Sequence, residues 1–184
     1  MVPRNPDRSA PPPARPPATA ILGLDLAERV GVCVLAIRDH RRLWSDSLLL
    51  ARRDAAERLL TLRRLLLEII ARYPHLEMAV EDVFLPARTS RKTPISLGEL
   101  RGVARLCAAE ADIPVIFYPP ATVKQTITGS GRASKEDVVR WIEAEFGYRV
   151  KDHNEADAIS IAYTHWLSRT YRQQLSVNIA NPVW

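Results

Sequence analysis

Residues 20–34 read A-I-L-G-L-D-L-A-E-R-V-G-V-C-V. A short apolar run carries one aspartate, Asp25, at its far end, and a glycine-containing turn leads into a second apolar run. Apolar runs bounded by turn residues read as buried strands. A carboxylate at the end of a buried strand is costly to desolvate unless it is paired or holds a metal. Two other acidic residues have similar settings: Glu81 in M-A-V-E-D-V-F-L and Asp157 in N-E-A-D-A-I-S-I-A. The expectation is a fold that brings these three carboxylates together around divalent cations.

The rest of the chain supports an α/β layer. Ile21 to Leu26, Gly31 to Ile37 and Leu43 to Leu50 read as three successive strands on short turns, which favours antiparallel neighbours. Asp54, with Glu57 three residues on, starts a helix of apolar period 3.6 that Pro74 ends. Met78 to Leu85 reads as a fourth strand, and Pro86 to Pro94 as a basic loop with Arg88, Arg91 and Lys92. A helix over Ser96 to about Asp112, a strand at Pro114 to Tyr118, a short helix at Thr122 to Thr128 and a flexible turn at Gly129–Gly131 follow. Ser134 caps a helix running to Phe146, and the last helix starts near Asp152 to Glu155 and runs through Tyr171. The fold class expected is a five-stranded mixed sheet flanked by helices, with sites at the strand ends.

The 184-residue chain is long enough for one domain with a real core. No apolar stretch approaches the length of a membrane span. The net charge of +5 suits an anionic partner, nucleic acid above all, although a solubilising surface explains charge equally well. Cys33 and Cys107 both lie in apolar runs and lack metal-ligand spacing, so they read as free thiols in a reducing cytoplasm. Residues 1–19 hold seven of the fourteen prolines and no apolar signal core, and read as a flexible tail. The folded domain is expected over residues 20–175, with a C-terminal tail at 176–184.

Five pieces of sequence, in order, resemble the RuvC family of Holliday-junction resolvases, within the ribonuclease-H-like superfamily. They are I-L-G-L-D, V-E-D-V-F, L-G-E-L-R-G-V-A-R, V-K-Q-T-I-T-G-S-G-R-A-S-K and A-D-A-I-S-I-A-Y-T-H, and together they span roughly residues 20–167. The V-K-Q-T block and the last piece, in that order, carry the most information. The resemblance implies a homodimer that cuts four-way DNA junctions with Mg2+ or Mn2+, alongside a branch-migration helicase complex. Hydrolysis of a phosphodiester asks for the same residues independently. Two divalent ions bring hydroxide to the anion and offset charge on the leaving oxygen, and clustered carboxylates ligate hard cations.

By resemblance, Asp25 bridges two metal ions, Glu81 takes the nucleophile-side ion and Asp157 the other. Each has a salt-bridged or capping carboxylate as its alternative, and for Asp157 taken singly that alternative is the stronger one. The family's fourth ligand, an aspartate or histidine three residues before the last aspartate, is Asn154 here. Its amide oxygen can ligate, and His153 is within reach on the same turn. Asp152 and Glu155 read as helix-start caps. A neutral amide or a histidine in the set favours Mn2+ over Mg2+. The first turn also departs from the family's G-I-D-P-G and reads Gly23-Leu24-Asp25-Leu26-Ala27.

Lys124 and Lys135 match two basic residues of the family; an ammonium near the site binds the scissile phosphate or stabilises developing charge, or merely positions the backbone. Arg132 is a backbone-phosphate candidate. Phe84 matches an aromatic that the family inserts at the junction crossover, with a core phenylalanine as the rival reading. Arg88, Arg91 and Lys92 flank it. The Ser96 to Asp112 helix, which helps build the dimer in the family, needs only packing on the sheet to explain it. Other readings are a ribonuclease-H-like RNA-processing nuclease, a non-catalytic junction-binding module, and an actin-like ATPase, which the low glycine count disfavours.

Overall fold

The computed structural model describes residues 18–50, 54–82 and 92–180, with side chains described from 95 to 173 in the last stretch. Phe84, Arg88 and Arg91, residues 1–17 of the N-terminal tail and 181–184 of the C-terminal one lie outside the described residues, as does the side chain of Lys92. Five strands, β1 (Ala20–Asp25), β2 (Arg29–Ala36), β3 (Arg42–Leu49), β4 (Leu76–Glu81) and β5 (Val115–Tyr118), form one sheet in the order β3-β2-β1-β4-β5. The β1–β2 and β2–β3 pairs are antiparallel and the β1–β4 and β4–β5 pairs parallel. The helices are α1 (Ala55–Arg72), α2 (Lys92–Glu110), α3 (Pro120–Thr128), α4 (Lys135–Phe146) and α5 (His153–Ala180). None of the described helices is long and apolar enough to cross a membrane.

Strand alternation sorts the core into two layers. Leu22, Leu24, Met78 and Val80 face α1 and α2, where Leu62, Leu66, Leu100 and Cys107 are buried. Ile21 and Ala79 face the other side, with Ile159, Ala162 and Ile142 of α5 and α4. Asp25 is four residues from Ile21 and Glu81 two from Ala79, so both carboxylates share the α5 face. Leu24 pairs with Val80, so the next residues, Asp25 and Glu81, end neighbouring strands side by side.

Two expected caps form as read. The Asp54 side chain accepts the Glu57 N–H at 2.7 Å, and Ser134 with Asp137 makes a capping box. Other boundaries shift. Helix α2 begins at Lys92 rather than Ser96, because Pro94 falls in the first turn, whose N–H groups have no intrahelical partner. Helix α5 runs to Ala180, beyond Tyr171. Strand β4 ends at Glu81.

Gly31 is the instructive difference. The sequence reads it as the first residue of its strand, but β2 begins two residues earlier, at Arg29, so Gly31 lies inside the strand, paired with Asp25. A Cβ on Gly31 would stand 1.8 Å from the Asn154 carbonyl oxygen, and one on Gly23 2.4 Å from that of Ala158. The two glycines form a bare track on which the alanine-rich start of α5 lies directly against the sheet. Gly31→Ala should therefore push the first turn of α5 off β2. The expected cost is about 1–3 kcal/mol in stability, typical of overpacking, and about a hundredfold in any activity needing that turn in place. Thermal melting and a rate assay measure both; a variant equal to wild type in each would show that α5 is not seated as described.

Candidate active site

Asp25 is 7% exposed at the end of β1. Burial, then the charge of Asp157, pushes its carboxyl up to about 7, against the Asn154 hydrogen bond and the Lys135 charge. Glu81 is raised to about 8, first by burial and then by Asp25 and Asp157, with Lys135 and Lys124 opposing. Burial also raises Asp157, against Lys135, His153 and Lys124. The three carboxylates thus lie within one another's fields in a low-dielectric pocket at the sheet's end.

Local structure explains why α5 delivers Asp157 there. Asp152 caps the helix: its Oδ1 accepts the Glu155 N–H at 3.1 Å, and its Oδ2 accepts the Ser47 hydroxyl at 2.5 Å. Glu155, only 5% exposed, accepts the Lys151 N–H at 2.6 Å and the Ser45 hydroxyl at 2.5 Å. Asp152 caps the helix start as expected, whereas Glu155 ties down the residue before the cap, and both also bind β3. The Arg29 guanidinium, 3.5 Å from Asp152, adds a third tie. The helix start is therefore bolted to the β2–β3 hairpin before Asn154 and Asp157 are reached. At the far end of the site, Arg101 of α2 donates to Asp82 at 2.8 Å and lies 4.3 Å over the Phe117 ring, bracing the residue after Glu81.

The lysines divide their tasks. Lys124 donates to the Ala133 carbonyl at 2.8 Å and so holds the α3–α4 connection. Lys135 begins α4, and its field reaches Asp25, Glu81 and Asp157, whereas that of Lys124 reaches the last two. Arg132 sits in the same connection, whose backbone is organised by Gln125 bonding Gly129 and Gly131. It lines an open cleft of about 440 Å³ with Ser130, Arg140 and Trp141. His153 opens α5 and acts electrostatically on Asp157, four residues on.

The donor set suits a hard divalent cation: three carboxylates, confined together, whose like charges a cation would neutralise. Among the described residues no three His, Cys, Asp or Glu side chains stand close enough together to hold a metal ion without rearranging. The fit thus lies in the chemistry of the donors. Sequence reasoning missed Gly23 and Gly31 as the seat of α5, and the ties from Ser45 and Ser47. Only the glycine inside an apolar run gave a signal, as a mark of close backbone approach.

Comparison with known proteins identifies the family. The family model described as crossover junction endodeoxyribonuclease RuvC matches residues 21–165. The protein of that name from Moorella thermoacetica is 36% identical over 161 residues, covering 86% of this chain and 92% of its own. The Thermus thermophilus RuvC structure superposes with a TM-score of 0.72 at 27% identity, covering 83% of this chain and 96% of that one. The same protein in complex with a Holliday junction substrate gives 0.74. The yeast mitochondrial Holliday junction resolvase, 14% identical with a TM-score of 0.59 over 89% of this chain and 87% of that one, shares the fold. The architecture is the ribonuclease-H-like fold, and family membership carries divalent-metal dependence with it. With its carboxylates on the ends of β1 and β4 and on the first turns of α5, the chain belongs to the RuvC family of crossover junction endodeoxyribonucleases.

Proposed function

We propose that this protein is a metal-dependent endonuclease that resolves four-way DNA junctions by paired nicks in the cytoplasm, during recombination and repair. The observation that carries the reading is the meeting of Asp25, Glu81 and Asp157 at one end of the sheet, in a chain of this family. Two divalent ions held by these carboxylates would activate water and neutralise the leaving oxygen. The Lys135 charge reaches all three carboxylates, where it would hold the scissile phosphate, and Lys124 keeps the connection that carries Lys135 in place. Arg132, Arg88, Arg91 and Lys92 would bind the backbone, and Phe84 would wedge into the crossover. Mn2+ should serve better than Mg2+, since the site lacks a fourth carboxylate and Mg2+ dehydrates reluctantly. A cleavage assay on four-way, duplex and RNA–DNA hybrid substrates, with each metal, tests the reading. Preference for duplex or hybrid, or no cutting with either metal, would overturn it.

Paired nicks require two active sites, and α2 offers the surface for a second copy. Its buried face holds Leu100, Ala104 and Cys107. Its outer face leaves Ile95 63% and Leu106 54% exposed, with exposed Gly98, Gly102 and Ala109 between and beyond them, at spacings that keep them on one stripe. Leu106→Arg should shift the protein from dimer to monomer in sedimentation and abolish paired nicking, while leaving the melting temperature within a few degrees because the side chain is already exposed. A dimer of unchanged stability would move the interface elsewhere.

A further inference from the structure

Asn154 stands where the family resemblance calls for a metal ligand, yet its side chain is turned the other way. Its amide Nδ2 donates to Asp25 Oδ2 at 3.2 Å and to the Arg29 carbonyl oxygen at 2.8 Å. Both amide protons are spent on these acceptors. Rotating the amide by half a turn would set its oxygen against the Arg29 carbonyl oxygen, which has no proton to give, so that partner fixes the orientation. The backbone cannot swing away either, because the carbonyl of residue 154 packs on Gly31, the β-sheet partner of Asp25.

The geometry points to Asn154 as a positioning residue: it ties the Asp25 carboxylate to the β2 main chain through its amide N–H groups, and its oxygen is not a ligand. The inference rests on the proposed role of Asp25 at the metal centre and deepens it. A carboxylate placed at the end of a strand has free rotation about its last bond. An N–H donor fixed to one oxygen removes that freedom and leaves the second oxygen for the proposed ion. Groups that orient a ligand in this way are as necessary as the ligand, although they never touch the ion. The short amide fits the task because it alone offers two donors at that reach. An aspartate in its place would set an oxygen against the Arg29 carbonyl and crowd a second carboxyl against Asp25. The strut also accounts for Arg29: its carbonyl receives Asn154 while its guanidinium binds Asp152, so one residue of β2 anchors both.

The test uses full-length protein with asparagine labelled at the side-chain carbonyl carbon and amide nitrogen, assigned by loss of the signal in Asn154→Ala. In metal-free protein the Asn154 amide protons should exchange slowly, and the carbonyl carbon should keep its position as Mg2+ is added. Asn154→Ala should bind Mn2+ within about threefold of wild type by calorimetry, yet cut at saturating Mn2+ about 10–100-fold more slowly, with no rescue by more metal. Metal-free Asn154→Asp should melt below both wild type and the alanine variant. A carbonyl signal that moves with Mg2+ overturns the proposal. So does an alanine variant that binds Mn2+ at least about tenfold more weakly and regains its rate with excess metal. Asp25→Asn is the control: undiminished Mn2+ binding there would overturn the metal-centre reading itself, and this inference with it.

Discussion

Asp25→Asn should lower junction cleavage by about a thousandfold or more while junction binding holds or tightens. Asp25 is the most buried of the three carboxylates and ends the central strand of the sheet. On the proposed role, its loss would remove a charged ligand where the ion's contribution to transition-state charge is worth several kcal/mol. Each 1.4 kcal/mol is about tenfold in rate, so a loss of about 4 kcal/mol gives that factor. The substitution also removes a negative charge from a surface that must approach phosphates, which favours DNA binding if it changes it at all. Single-turnover cleavage and a gel-shift titration in chelator measure the two effects separately. Full-rate cutting, or binding lost together with cutting, would contradict the metal role.

The second large effect is on stability. Asp25 is raised to about 7 and Glu81 to about 8, and Asp157 is raised too, all chiefly by burial. A carboxyl group whose folded value lies above its unfolded value binds protons more tightly in the folded chain. Stability is then highest when the groups are protonated and falls as they ionise, so metal-free protein should lose stability as pH rises from about 4 to about 8. A tenfold change in proton affinity is worth about 1.4 kcal/mol. Water screens the partly exposed Glu81, so the combined loss should be a few kcal/mol. Glu77, held low by its bond to His165, has the opposite sign, but its stabilisation is lost only as pH falls below the ordinary carboxylate range, outside this window. Divalent cations neutralise the ionised carboxylates and should flatten the slope. Melting temperatures across that range, with chelator and with Mg2+, check the prediction. Stability that rises with pH in chelator would mean that the carboxylates are solvated and independent, and Asp25→Asn should remove part of the slope.

How far the site was legible depends on how local its causes are. The caps at Asp54 and Ser134 were readable because the residues that satisfy the helix N-termini lie within three positions. The three carboxylates were readable because an acidic residue closing an apolar run is expensive without a reason. The role of Gly31 was not, because the atoms it makes room for belong to Asn154, far along the chain. Asn154 itself was expected to offer its oxygen. Its orientation is set by the carbonyl of Arg29, 125 residues away.

By itself the sequence determined the number and type of elements, the alternation that puts Asp25 and Glu81 on one face of their strands, and the family, since these follow from local pattern and from motifs in order. Tertiary structure alone decided how closely α5 lies on the sheet and which atom of Asn154 faces Asp25. Those outcomes depend on backbone contacts between distant segments. A bare glycine, a carbonyl oxygen and a serine on β3 have no periodicity, so their effect appears only once the sheet and α5 are packed together.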